Sequence, residues 1–123
     1  METTKRKYGN KGESVAAEWL NAQGWHILFR NYTCKMGEID LVVRKGDCLS
    51  FVEVKSRHNK RYGRPAEAVT LIKQQHIRRV AQYCLLREQY ALQIDKNTDF
   101  RFDVCEVLDT PEGTQICYIE NAF

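Results

Sequence analysis

The stretch GEIDLVVRKGDCLSFVEVKSR, residues 37–57, decides how the rest of the chain is read. Residues 37–43 and 48–56 are each short and mostly apolar, and the RKGD between them suits a hairpin turn. Both runs carry charge: Asp40 sits in the first, Glu53 and Lys55 in the second. In a strand, residues two apart share a face at a separation of about 7 Å. Glu53 and Lys55 therefore share a face with Phe51, while Val52 and Val54 point the other way. If the hairpin pairs as read, Asp40 lies on the neighbouring strand near the same end. Two carboxylates and a lysine then converge.

Such a trio has a chemical use. Two carboxylates can hold a hard divalent cation that keeps several of its waters, and a nearby ammonium stabilises negative charge developing on a phosphoryl group. Adjacent strands fix the geometry more firmly than loops. Alternating apolar and charged residues also mark an antiparallel strand with one wet face, and that reading stays open for Glu53 and Lys55. Asp40 fits it less well, because IDLVV otherwise reads as a buried strand and aspartate is a poor strand residue.

Working outward, residues 1–8 are polar and read as a loose segment before a single domain over 9–123. GNKGESVAAEWLNAQG reads as a helix with Val15, Ala16, Trp19 and Leu20 on one face and Gly24 as its stop. Residues 25–32 read as a strand, and residues 57–65 as a basic loop ending at Pro65, which suits a helix's first turn. From Ala66 to about Tyr90 the helical set is Val69, Ile72, Ile77, Val80, Ala81, Cys84 and Leu85. Residues 99–108 and 114–121 read as strands, with Phe100, Phe102 and Val104 expected in the core. The order α-β-β-β-α-β-β predicts an α/β fold, a mixed sheet of about five strands flanked by helices. The crossover from FVEVK to RFDVCEV is right-handed if those strands are parallel.

The composition narrows the function. The chain has 123 residues, one domain's worth, with 43% apolar residues. Its five cysteines form no CxxC and the three histidines are scattered, so a zinc site is not indicated. The odd cysteine count suits reduced thiols and a cytoplasmic setting. The start is basic and never becomes apolar, and no run is long enough to cross a membrane.

The net charge of +3 hides an asymmetry. Residues 55–79 hold Lys55, Arg57, Lys60, Arg61, Arg64, Lys73, Arg78 and Arg79 against the single acid Glu67, so the rest of the chain is net acidic. A basic loop directly after a carboxylate-lysine strand suits a nucleic-acid backbone. Arg57, His58, Lys60, Arg61, Arg64 and Lys73 are the candidate phosphate contacts, although a solvated loop and an outer helix face also carry such charge. In the first helix, Glu13 follows Gly12 at a start where a carboxylate suits the dipole. It becomes a third acid if that helix start packs near the strand ends. Glu38 is placed on the opposite side of its strand from Asp40 and left out of the set.

GNKGESVAAEWL, GEIDLVV, FVEVKSR, GRPAEAV with Lys73, RFDVCEV and IENAF together resemble, in order and through nearly the whole chain, the bacterial YraN family. That family is placed in the restriction-endonuclease-like fold, the PD-(D/E)xK nuclease superfamily, and is similar to archaeal Holliday junction resolvases. The resemblance implies a nuclease site in which Asp40 is the motif aspartate and Glu53 and Lys55 are the ExK pair. It implies Mg²⁺ or Mn²⁺ held by Asp40, Glu53 and the Val54 carbonyl, with Glu13 completing the site. Ile39 stands where many members have proline. The implied partner is nucleic acid, DNA and branched DNA foremost, acted on by a homodimer. The alternative is a non-catalytic nucleic-acid-binding module on the same fold.

Overall fold

The computed structural model describes residues 4–57 and 69–123. In chain order the elements are α1 (Thr4–Ala22), β1 (His26–Cys34), β2 (Gly37–Lys45), β3 (Cys48–Arg57), α2 (Leu71–Arg87), α3 (Gln89–Leu92), β4 (Asp99–Thr110) and β5 (Gly113–Ile119). The five strands form one mixed sheet whose spatial order follows the chain, β1-β2-β3-β4-β5. β3 and β4 pair in parallel, and the other three pairs are antiparallel. The hairpin is as read: Lys45 faces Cys48 across the two-residue turn Gly46-Asp47, and Gly46 takes the left-handed conformation at φ 58°.

Strand alternation sends apolar side chains to both faces of the sheet, and each face is covered by helix. On one face Ala16, Ala17 and Leu20 of α1 pack with Trp25, Leu41, Val43, Val52 and Cys105. On the other, Ile77, Val80, Ala81 and Cys84 of α2 pack with Val42, Leu49, Phe51 and Val104. Each fully buried Val, Leu, Ile or Phe side chain among these contributes roughly 1.5–3 kcal/mol. α1 approaches β3 closely at Gly12, where an added Cβ would run into Ser56 Oγ. A glycine inside a helix, costly for the helix itself, thereby lets this end of α1 lie against the sheet.

Several elements differ from expectation. α1 begins at Thr4, inside the segment expected to be loose, because the lysines and arginine preceding Gly9 are good helix formers. α2 begins at Leu71 rather than near Pro65. Thr70 is extended and its side chain accepts a hydrogen bond from Lys73 N, an N-cap that sets the start. Residues 66–68 lie outside the described residues. The helix also divides at Glu88, leaving α3 as a separate turn closed by left-handed Gln93. Ile72, one of the apolar helical set, and Phe100, expected in the core, are 68% and 46% exposed. Ile72 lies in the first turn of α2, on the rim of a pocket, and Phe100 lies near the start of β4.

Residues 121–123 fold back onto β4. Ala122 N donates to Phe102 O, and the rings of Phe51, Phe102 and Phe123 stack in series with centroids 5.5 and 5.3 Å apart. Arg78 lies over the last two rings, at 4.8 and 5.6 Å, so this member of the basic span is engaged on aromatic faces. Phe123→Ala is expected to lower stability by about 1–2 kcal/mol, read as a shift of the urea midpoint with an unchanged slope.

Candidate functional site

The sheet opens at Asp40. Pairing of β2 with β3 ends at Leu41–Val52, and pairing with β1 passes from Arg30–Leu41 to Tyr32–Ile39. Asp40 leaves both ladders, and its Oδ2 accepts a hydrogen bond from Val54 N at 2.7 Å. A side chain thus replaces a ladder acceptor where the strands part. A strand residue presents its N–H and C=O to the same edge, so the Val54 carbonyl is directed into the same gap. Asn31, opposite Asp40 on β1, is left-handed at φ 54°.

The expected acids gather round this gap. Glu53 is buried on the α2 face, beside Lys55 at 3.7 Å and Lys73 at 2.6 Å, both measured to Glu53 Oε1. Glu13, carried by α1 from the other face, is buried, and its Oε2 has no hydrogen-bond partner among the described residues. The Asp40 carboxyl is pushed up to about 8, by burial first and then by Glu53, against the Val54 hydrogen bond and with help from Glu13 and Glu38. Glu13 is raised too, by burial and the Glu38 charge, against its contact with Asn31. Lys55 is lowered by burial and by the neighbouring Lys73. For Lys73, burial opposes the charge, but the Glu53 contact outweighs it and the ammonium is raised.

Glu38, left out of the sequence-derived set, lines the same pocket of about 420 Å³ as Asp40 and Glu53, together with Met36, Thr70, Ile72, Lys73 and His76. Residues two apart in a strand share a face, so spacing carried that signal. Lys73 was expected as a phosphate contact, and its partner is Glu53. Arg57 is placed against buried Glu106, Nε to Oε2 3.0 Å, with its side chain 9% exposed. His58, Lys60, Arg61 and Arg64 lie outside the described residues.

These groups suit a hard divalent cation. Among the described residues no three His, Cys, Asp or Glu side chains form a ready-made metal cage. Mg²⁺ does not need one, since it keeps several waters and takes one or two carboxylates. The fit lies in the charge and the orphan oxygen: burial, and then the Glu53 charge, push the Asp40 carboxyl up to about 8, and Glu13 Oε2 is buried without a donor among the described residues. Asp40, Glu53 and the Val54 carbonyl would hold the ion, with Glu13 beside them.

The sequence profile of the uncharacterised protein family UPF0102 matches residues 12–107. A UPF0102 protein of Caldicellulosiruptor saccharolyticus is 44% identical over 121 residues, covering 97% of this chain and 98% of the relative. Those of Alkaliphilus metalliredigens and Symbiobacterium thermophilum are 42% and 44% identical, each over 96% of this chain and 98% and 97% of their own lengths. No described helix is long and apolar enough to cross a membrane. On the profile match and these nearly full-length identities, the chain belongs to the UPF0102 (YraN) family.

Proposed function

We propose that the chain is a metal-dependent nuclease that hydrolyses phosphodiester bonds in nucleic acid, with DNA, and branched DNA in particular, as its substrate. The observation that carries this reading is the parted β2–β3 junction, where Asp40, pushed up to about 8, meets Glu53, Glu13 and Lys55. Bound Mg²⁺ or Mn²⁺ supplies a more acidic water and neutralises charge on the phosphoryl oxygen. Asp40 and Glu53 orient the ion, and the Val54 carbonyl shares that task. Lys55, half-buried and with a lowered proton affinity, presents a donor toward the charge that develops on the phosphoryl oxygens. His58, Lys60, Arg61 and Arg64 come next in the sequence after β3 and are proposed to hold the backbone. A branched substrate offers two equivalent strands, so two copies acting as a homodimer belong to the same proposal.

The test is cleavage of four-way junction, flap, single-stranded and duplex DNA, with an RNA control, in Mg²⁺ or Mn²⁺. Lys55→Ala is expected to fold, to bind DNA, and to cut about 10²–10³-fold more slowly than wild type. Equal cutting by wild type and this variant would remove Lys55 from the site. The short Lys73–Glu53 contact favours a second reading, a binding module whose acid is permanently neutralised. Salt-sensitive DNA binding without cleavage on any substrate would select it.

A further inference from the structure

Lys73 reaches the site from outside the strands. Its Nζ is closer to Glu53 Oε1, at 2.6 Å, than Lys55 Nζ is to the same oxygen, at 3.7 Å. The Glu53 side chain is 7% exposed, and that of Lys73 is 42% exposed. Among the described residues the buried acid therefore has as its closest counter-ion the end of a long, solvent-reaching arm. The root of that arm is fixed, because Lys73 N donates to Thr70 Oγ1 in the first turn of α2. Thr70, Lys73 and His76 line the pocket that Asp40 and Glu53 also line. The ammonium can thus reach Glu53 or open pocket without any movement of the helix.

A carboxylate oxygen held by an ammonium is not a free ligand, and a divalent cation on Glu53 would stand against that ammonium as a like charge. We propose that Lys73 is a positioning residue that exchanges partners, holding Glu53 in the cation-free site and turning to a non-bridging phosphate oxygen of the nucleic acid when Glu53 takes up a divalent cation. The proposal rests on the nuclease reading above. It makes cation and backbone binding mutually reinforcing, since a coupling between two ligands is reciprocal. Lysine suits this role better than arginine, being a compact point charge on a flexible stem rather than a fork that locks onto one carboxylate.

Two measurements test the exchange on the full chain, with folding of each variant checked by thermal melts. In calorimetric titration with Mn²⁺, Lys73→Met is expected to bind the ion about tenfold more tightly than wild type, and Lys55→Met to gain less. In DNA binding measured across a KCl series, Lys73→Met is expected to flatten the salt slope by about 0.9, one phosphate contact, when Ca²⁺ is present. With chelator in place of Ca²⁺ its slope is expected to match that of wild type. Unchanged or weaker Mn²⁺ binding by Lys73→Met would overturn the exchange, and so would an equal loss of slope with and without Ca²⁺. If wild type binds Mn²⁺ and Lys73→Met binds it no better, the exchange alone fails. If wild type binds no Mn²⁺, the nuclease reading fails with it.

Discussion

Asp40→Asn is expected to abolish cleavage and, in the absence of divalent cation, to make the protein more stable than wild type at pH 8 and above. The activity loss follows from the aspartate's place in the gap. A bound cation contributes several kcal/mol to the transition state, and each 1.36 kcal/mol is tenfold in rate, so the expected loss is about 10³-fold. The stability gain follows from charge. Folding raises the Asp40 carboxyl from 3.8 to about 8 through burial and the Glu53 charge. The folded chain then keeps a proton that the unfolded chain has already lost. That contribution is fully present below pH 3.8 and is lost progressively as pH rises through about 8. Asparagine does not titrate, its side-chain oxygen can still accept from Val54 N, and its amide can donate to neighbouring acids. Melts in chelator should therefore nearly coincide near pH 4 and separate towards pH 8, with the variant higher. Added Mn²⁺ is expected to stabilise wild type and not the variant. Parallel pH curves would mean that Asp40 is not under charge pressure.

Asp103→Ala is expected to be the most damaging single change to the fold. Asp103 is 0% exposed. It accepts from Ser50 Oγ at 2.6 Å, Tyr118 OH at 2.6 Å, Asn121 N at 2.9 Å, and Arg101 Nε and Nη2 at 3.1 and 2.9 Å. The Tyr118 hydroxyl is raised by burial and by its bond to this carboxylate, which keeps it a donor. Alanine would leave these donors unanswered and the Arg101 charge without its closest partner. Breaking a buried pair in this way costs about 3–5 kcal/mol, against a total of about 5–15 kcal/mol for a typical domain. The urea midpoint is expected to fall by a third or more, with DNA binding per folded molecule intact at low temperature. A loss below about 1 kcal/mol would show that the network contributes little.

Asp40 and Asp103 also show how far the sequence could be read. Each is an aspartate inside an apolar strand, in EIDLVV and in RFDVCEV, and the pattern is the same. One stands among acids and the other among donors, and the difference comes from residues far along the chain: Glu13 and Glu53 for the first, Ser50 and Tyr118 for the second. Local signals were sufficient for the hairpin at Gly46 and for the faces of β3. They were not for Lys73, whose partner lies twenty residues back on another element. Arg57 reads as the start of a basic loop, yet its alternation with Lys55 puts it on the β3 face that meets Glu106 of β4. Pro65 suits the first turn of a helix, yet α2 starts at Leu71, where the Thr70 side chain accepts from Lys73 N.

The strand order has a consequence for the speed of folding. Neighbours in the sheet are neighbours in sequence throughout, and three of the four pairings close over short turns. Only the β3–β4 pairing must wait for a long loop, the one that carries α2 and α3. Local hairpins form in about 1–10 μs, whereas a non-local pairing bears its loop entropy before any contact rewards it. The rate-limiting event is therefore expected to be the docking of β4 on β3. The first bonds to span that junction, Asp99 N to Asp47 O and Ser50 Oγ to Asp103 Oδ2, stand at its leading end. Substitutions at Ser50 would then slow folding, while those at Asp40, on a hairpin already formed, would alter mainly the rate of unfolding.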